Sequence, residues 1–227
     1  MGKIISFFVA FVLLILMGFI LKRQKISKVV SRFKYTLDYY KNFVELLNEV
    51  FQSKRINQEK YIWLTEKVNA MQRELGDSGI MHYYSDPLQG FTAKEYQLLI
   101  NFLPEISSYI HEFDNSIMLE RFNSSARWCT DMFIRHQGDL KEMIENENKI
   151  LYNPLSCFAE AIRCIVALPF SILYWLGILS EGMLYRIKHS WFLKFVNAIV
   201  ILIGLIGSII TISLGWDGFQ KLLNNYF

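Results

Sequence analysis

Residues 4–21, IISFFVAFVLLILMGFIL, run for 18 positions without a charged side chain, and residues 195–214, FVNAIVILIGLIGSIITISL, do the same for 20. A bilayer's hydrocarbon core is about 30 Å thick and takes roughly 20 helical residues to cross. Each stretch therefore has the length and composition of a span. A cleaved signal peptide has an apolar core of about 7 to 15 residues followed by a small-x-small site. The first stretch is longer and leads into Lys22 and Arg23, so it reads as an uncleaved anchor.

Basic residues near span ends set orientation. Lys3 alone precedes the first stretch, whereas Lys22, Arg23, Lys25, Lys28, Arg32 and Lys34 follow it with no acid among them. Arg186, Lys188 and Lys194 precede the second, and only Lys221 follows it. The rule predicts both termini outside and the middle of the chain in the cytoplasm. A third apolar segment, Ile165 to Leu179, is 15 residues long and contains Pro169. That is short for a span, and crossing would put the basic loop 180–194 outside. It is read as interfacial or re-entrant, with Tyr174 and Trp175 at headgroup depth; a third span is the alternative.

Between the spans the pattern is helical. Ile26, Val30, Phe33, Leu37, Tyr40, Val44, Leu47 and Phe51 alternate spacings of four and three, which is a heptad seam. Neither Gly nor Pro separates this seam from the anchor, so one long helix is expected. Tyr61, Leu64, Val68, Met71 and Leu75 repeat the spacing up to the turn Gly76–Gly79. The two seams can bury each other within one chain or against neighbouring subunits. Residues 80–91 read as a loop, and Thr92-Ala93-Lys94-Glu95 as a capping box opening a helix to about Leu103. Pro104 fits the first turn of the next helix. A helix from about Ser125 to Leu151 ends at Asn153-Pro154, with Cys129, Phe133, Leu140, Met143, Ile144 and Ile150 on one side.

No strand pattern competes. The expected fold is an all-α membrane protein: a transmembrane anchor (1–25), a helical cytoplasmic domain (26–154), a short interfacial or re-entrant segment with a basic loop (155–194), a C-terminal transmembrane helix (195–214) and a tail (215–227).

The motifs of enzymes are missing. The sequence holds no GxxxxGK[ST], GxGxxG, GxSxG or HExxH. Its four histidines are scattered, and none pairs with Cys at zinc-ligand spacing. No catalytic residue, cofactor or metal is expected. The odd set Cys129, Cys157 and Cys164 implies no disulfide framework.

The last span carries a polar stripe. With Asn197 at zero and about 100° per residue, Gly204, Ser208, Thr211 and Gly215 fall within about 40° of it. Such a stripe suits close helix packing or the lining of a wet pore. Both need partner helices, so self-association is expected, with a tetramer as the working number. Lys54, Arg55, Arg121, Arg127 and Arg135, with Tyr61, Trp63 or Trp128 as a stacking platform, form a candidate surface for phosphates and bases. Residues 35–164 oppose it, holding 13 bases against 19 acids.

The layout of anchor, helical domain, the segment from Leu168-Pro169-Phe170 to Leu176-Gly177, basic loop, final span and Thr211-Ile212-Ser213-Leu214-Gly215-Trp216-Asp217 resembles small membrane effectors of bacterial anti-phage systems. In particular it is similar to the channel-forming effector of Hailong-type defence. The resemblance lies in architecture along the whole chain and carries no ligand residues with it. It implies a homo-oligomeric ion channel with a cytoplasmic ligand-binding crown, held shut by DNA oligomers that a partner nucleotidyltransferase makes. The alternative reading is a non-conducting scaffold that recruits a partner through its coiled-coil-like helices.

Overall fold

The computed structural model describes residues 2–86, 90–110 and 115–180, with scattered positions between 182 and 207. Most of these are helical. The chain forms two compact units, residues 26–146 and residues 1–25 with 147–227.

Helix α1 runs without a break from Gly2 to Ser53 and contains the whole of the first apolar stretch. Its second half belongs to the 26–146 unit. There the fully buried line is Tyr39, Phe43, Leu46 and Val50, with Thr36 one turn before it. This line lies one residue upstream of the expected seam, most of which is only half-buried. The displacement has a physical cause: α1 packs on three other helices at once, and so buries a wider arc than a two-stranded seam.

Helix α2 spans Gln58–Leu75 and starts at Asn57, whose side chain accepts from the Lys60 N–H. Gly76, at a φ of +53°, ends it; this left-handed conformation is one that glycine adopts without a Cβ penalty. Leu64, Val68, Met71 and Leu75 are buried as their spacing predicts. The core of the unit joins them to the α1 line and to residues from Leu98–Ile110 and Ser116–Leu151, among them Phe102, Ile106, Phe122 and Phe133. The buried line of α1 from Tyr39 to Val50 is thus satisfied inside one chain.

The loop expected over 80–91 is a β-hairpin. After a 3₁₀ turn at Gly76–Gly79, β1 (Ile80–Asp86) pairs antiparallel with β2 (Phe91–Gln97), with Tyr84 opposite Ala93 and Met81 opposite Tyr96. Thr92 and Glu95 therefore lie in a strand and cap no helix. Tyr84 and Tyr96 stack with centroids 4.2 Å apart, a cross-strand aromatic contact that stabilises the pairing. Glu95 itself has a φ of +54°.

Helix α3 (Leu98–Ile110) follows directly and keeps Pro104 in its interior, so the two helices expected around Pro104 are one. Helix α4 (Ser116–Leu151) begins nine residues earlier than its expected start. Cys129, Phe133 and Leu140 face inward, but Met143 and Ile150 are exposed.

In the other unit, Asn153 accepts from the N–H groups of Leu155 and Ser156, and Pro154 occupies the first turn of α5 (Pro154–Trp175). The Asn-Pro pair that ends α4 also starts the next helix, as N-cap and N1 residues do. The element is therefore 22 residues long, about 33 Å at 1.5 Å per residue. It continues through Pro169. Among the described residues α5 is the one helix whose length and composition suit it to cross a membrane, and only 17% of its most apolar window is buried.

Helices α1 and α5 run antiparallel. The Phe11 ring meets Phe158 at 5.2 Å, Gly18 meets the Cys157 backbone, and Phe19 meets Tyr152, just before α5, at 6.0 Å, so partner numbers fall as α1 advances. At the contact α5 offers small residues, Cys157 and Ala161, both buried. Beyond Phe19, α1 meets the end of α4 in charge: the Lys25 Nζ lies 2.5 Å from Glu147 Oε1, and the buried Lys22 lies 3.9 Å from Oε2.

Candidate functional site

Arg121, Trp128 and Arg135 recur every seven residues and share one face of α4. Trp128 and Arg135 line a cavity of about 530 Å³ with Asp77, Met81, Asp131 and Asp139. The 3₁₀ turn brings Asp77 and Ser78, the first strand brings Ile80 and Met81, and Leu98 closes the floor with Met132. Trp128 is 42% exposed, and its ring meets the edge of Tyr84 at 6.3 Å. The hairpin thus fixes the indole on one side and leaves the rest of its surface to the cavity.

The other candidates are not gathered here. Arg121 lies two turns away, 3.8 Å from Glu105, and Glu105 also accepts from the Tyr109 hydroxyl. Burial raises the pKa of the Tyr96 and Tyr109 hydroxyls, and the Glu105 carboxylate adds to it. Arg121 is therefore part of an internal polar network under the hairpin. Arg127 points off the shared face and is exposed, as are Lys54 and Arg55 at the end of α1. Of the eight residues proposed from the sequence, Trp128 and Arg135 line the cavity, and Tyr61 and Trp63 do not.

Electrostatics defines what the cavity suits. Its wall carries three carboxylates and one guanidinium. A chain of phosphates would be repelled by the aspartates, whereas the amino edge of a base, or another cationic or hydrogen-donating group, would be held by them. Arg135 can take one phosphate. The sequence reading misses the acids although Asp131, Arg135 and Asp139 follow at intervals of four, which places them on one helix face.

In the last span, Asn197, Ser208 and Thr211 fall outside the residues whose surroundings are described, as does Gly215. Gly204 is helical and exposed, with open space where a Cβ would stand. No group of three or more metal-ligating side chains occurs among the described residues.

Comparison with models of protein families, with curated proteins and with solved structures finds no significant match. The class that can be stated is a mostly helical protein carrying at least one helix fit to cross a membrane.

Proposed function

We propose that the protein is an oligomeric effector of the bacterial inner membrane, an ion channel whose conduction is controlled by a base-bearing ligand at Trp128. The observation that carries this reading is the helix pair: a charge-free 18-residue stretch in α1 lies alongside an apolar helix about 33 Å long. Exposed Phe8, Val12, Leu13 and Leu16 on α1, with Leu168 and Ile172 on α5, give the pair an outer surface that water disfavours and lipid accepts. The six bases between Lys22 and Lys34 support a cytoplasmic location for residues 26–146.

The cavity supports a ligand smaller than a DNA oligomer. Its volume suits one nucleotide-sized group, with the base on Trp128, its amino edge toward Asp131 or Asp139, and at most one phosphate on Arg135. An oligomer made by a partner nucleotidyltransferase would place only a terminal nucleotide there. The scaffold reading loses part of its support, because α1 buries Tyr39, Phe43, Leu46 and Val50 within its own chain.

Purified protein in planar bilayers tests the proposal. It should pass discrete currents that nucleosides or nucleotides alter, and Trp128→Ala should abolish the response while leaving the currents. Membrane insertion without current at any voltage would overturn the channel reading.

A further inference from the structure

Helix α5 is apolar overall, yet its polar side chains are not scattered. With Cys157 at zero and about 100° per residue, Ser156, Glu160, Arg163, Ser171 and Tyr174 all fall between about −120° and −40°, with the buried Ala167 among them. Most of the helix's polar side chains thus lie in one stripe along its length. Lipid-compatible Leu155, Ile165, Leu168 and Ile172 stand outside it and are exposed.

Depth gives the stripe its meaning. Cys157 lies in backbone contact with Gly18, in the last turn of the charge-free stretch of α1. Glu160 and Arg163 lie three and six residues further on, about 4.5 and 9 Å along the axis, inside the thickness that stretch would span. A charged side chain there costs roughly 2.5–3.5 kcal/mol on insertion scales when it faces lipid. A long basic chain can avoid the cost by snorkelling to the nearer surface. Arg163 stays paired at that depth: its Nη1 reaches 3.0 Å to Glu160 Oε2, one turn toward the start of the helix. The Arg163 side chain is 54% exposed and the Glu160 side chain 22%, so within one chain the pair is only partly covered.

The geometry points to α5 as a pore-lining helix, with the Glu160–Arg163 pair facing a water-filled lumen formed by several copies of this chain. The inference rests on the proposed membrane location of the chain. It also revises the expected topology, since α5 is then a span and no interfacial segment. It moves the principal polar lining from the last span to α5.

Thiol accessibility in proteoliposomes tests it. The first measurement is extraction of the full-length protein by alkaline carbonate; release from the vesicles would defeat the membrane location itself, a failure distinct from failure of the lumen. With the protein retained, Ser156→Cys, Arg163→Cys and Ser171→Cys are compared with Leu168→Cys for reaction with a membrane-impermeant thiosulfonate, each measured as the excess over the parent chain. Stripe positions should react at least roughly tenfold faster than Leu168→Cys, because a reactive thiolate forms only where water reaches. Equal, slow reaction on both faces would mean a dry helix contact and would overturn the lumen. Ser156→Cys and Ser171→Cys remove no charge, so loss of assembly at Arg163→Cys would not decide the result.

Discussion

Gly18 and Cys157 bring two helix backbones into direct contact: a methyl group on Gly18 would collide with the carbonyl oxygen of Cys157. Both residues are buried, and the neighbouring aromatic pairs Phe11–Phe158 and Phe19–Tyr152 close over them. Small residues are what let membrane helices approach this closely. Gly18→Leu should therefore separate α1 from α5. Forced overpacking costs about 1–3 kcal/mol and more where backbone must move, so the melting temperature in detergent should fall by several degrees. A melting curve unchanged by Gly18→Leu would show that the contact contributes nothing.

In the 26–146 unit, three helices are tied by one carboxylate. The Arg32 Nε lies 2.8 and 3.1 Å from the two oxygens of Glu74, and the His136 Nε2 lies 3.1 Å from Oε1. Glu74 and His136 are largely buried, whereas the Arg32 side chain is 44% exposed. Solvent reduces the worth of the Arg32 contact. Leaving the buried His136 without its partner carries most of the loss, about 1–3 kcal/mol. Glu74→Ala should lower stability by that amount and Arg32→Ala by clearly less, read from thermal unfolding by circular dichroism. Equal effects of the two would assign the loss to the exposed pair.

The acids of the α4 cavity set its ligand preference. Replacing Asp131 and Asp139 by Asn removes two negative charges from a wall that has one positive charge. Nucleotides should then bind more tightly while nucleosides bind no better. A tenfold gain for a nucleoside monophosphate, about 1.4 kcal/mol, is the expected scale. Titration calorimetry distinguishes the cases, and an equal gain for nucleoside and nucleotide would show that the carboxylates do not face the phosphate.

What is legible in the sequence is periodic, and what is hidden is set by distant partners. The α2 face can be read because Leu64, Val68, Met71 and Leu75 repeat every three or four residues and all find one core. The α1 face is displaced by one residue from its apolar pattern because three helices close on it at once, and inside that core Tyr39 donates its hydroxyl to the Leu64 carbonyl. The hairpin escapes for a related reason. Thr92 and Glu95 imitate a helix cap, and only the register of 80–86 against 91–97 shows that they are strand residues. The cavity is half visible: Trp128 and Arg135 stand out in the sequence, but Asp77 joins them through a turn far away along the chain.

Cys129 is fully buried in that core, and desolvation pushes its thiol pKa well above the ordinary value. The reactive thiolate is then scarce at neutral pH. Native protein should leave Cys129 unlabelled by iodoacetamide at pH 8, and unfolding in guanidinium should expose it. Peptide mass analysis reads this site directly, and native labelling of Cys129 would contradict the packing of α4.

Lys60 holds α2 to α1 through two carboxylates, with Nζ 2.9 Å from Glu45 Oε2 and 2.6 Å from Glu49 Oε1. The hydrogen bond from Lys60 holds the Glu49 carboxyl below its usual pKa, and the bonds to Glu49 and then Glu45 raise the Lys60 ammonium above its own. The two shifts act at opposite ends of the pH scale. A depressed carboxyl contributes stability that is present above its unfolded pKa and lost as pH falls through the folded value. A raised ammonium contributes stability that is present below its unfolded pKa and lost as pH rises through the folded value. The contact should thus be at full strength across neutral pH and fade in acid and in strong base. Lys60→Gln should flatten both flanks of the melting-temperature profile while changing its plateau only slightly, because the groups are exposed and salt screens them. A variant whose acid flank matches that of the parent chain would show that Glu49 draws its shift from elsewhere.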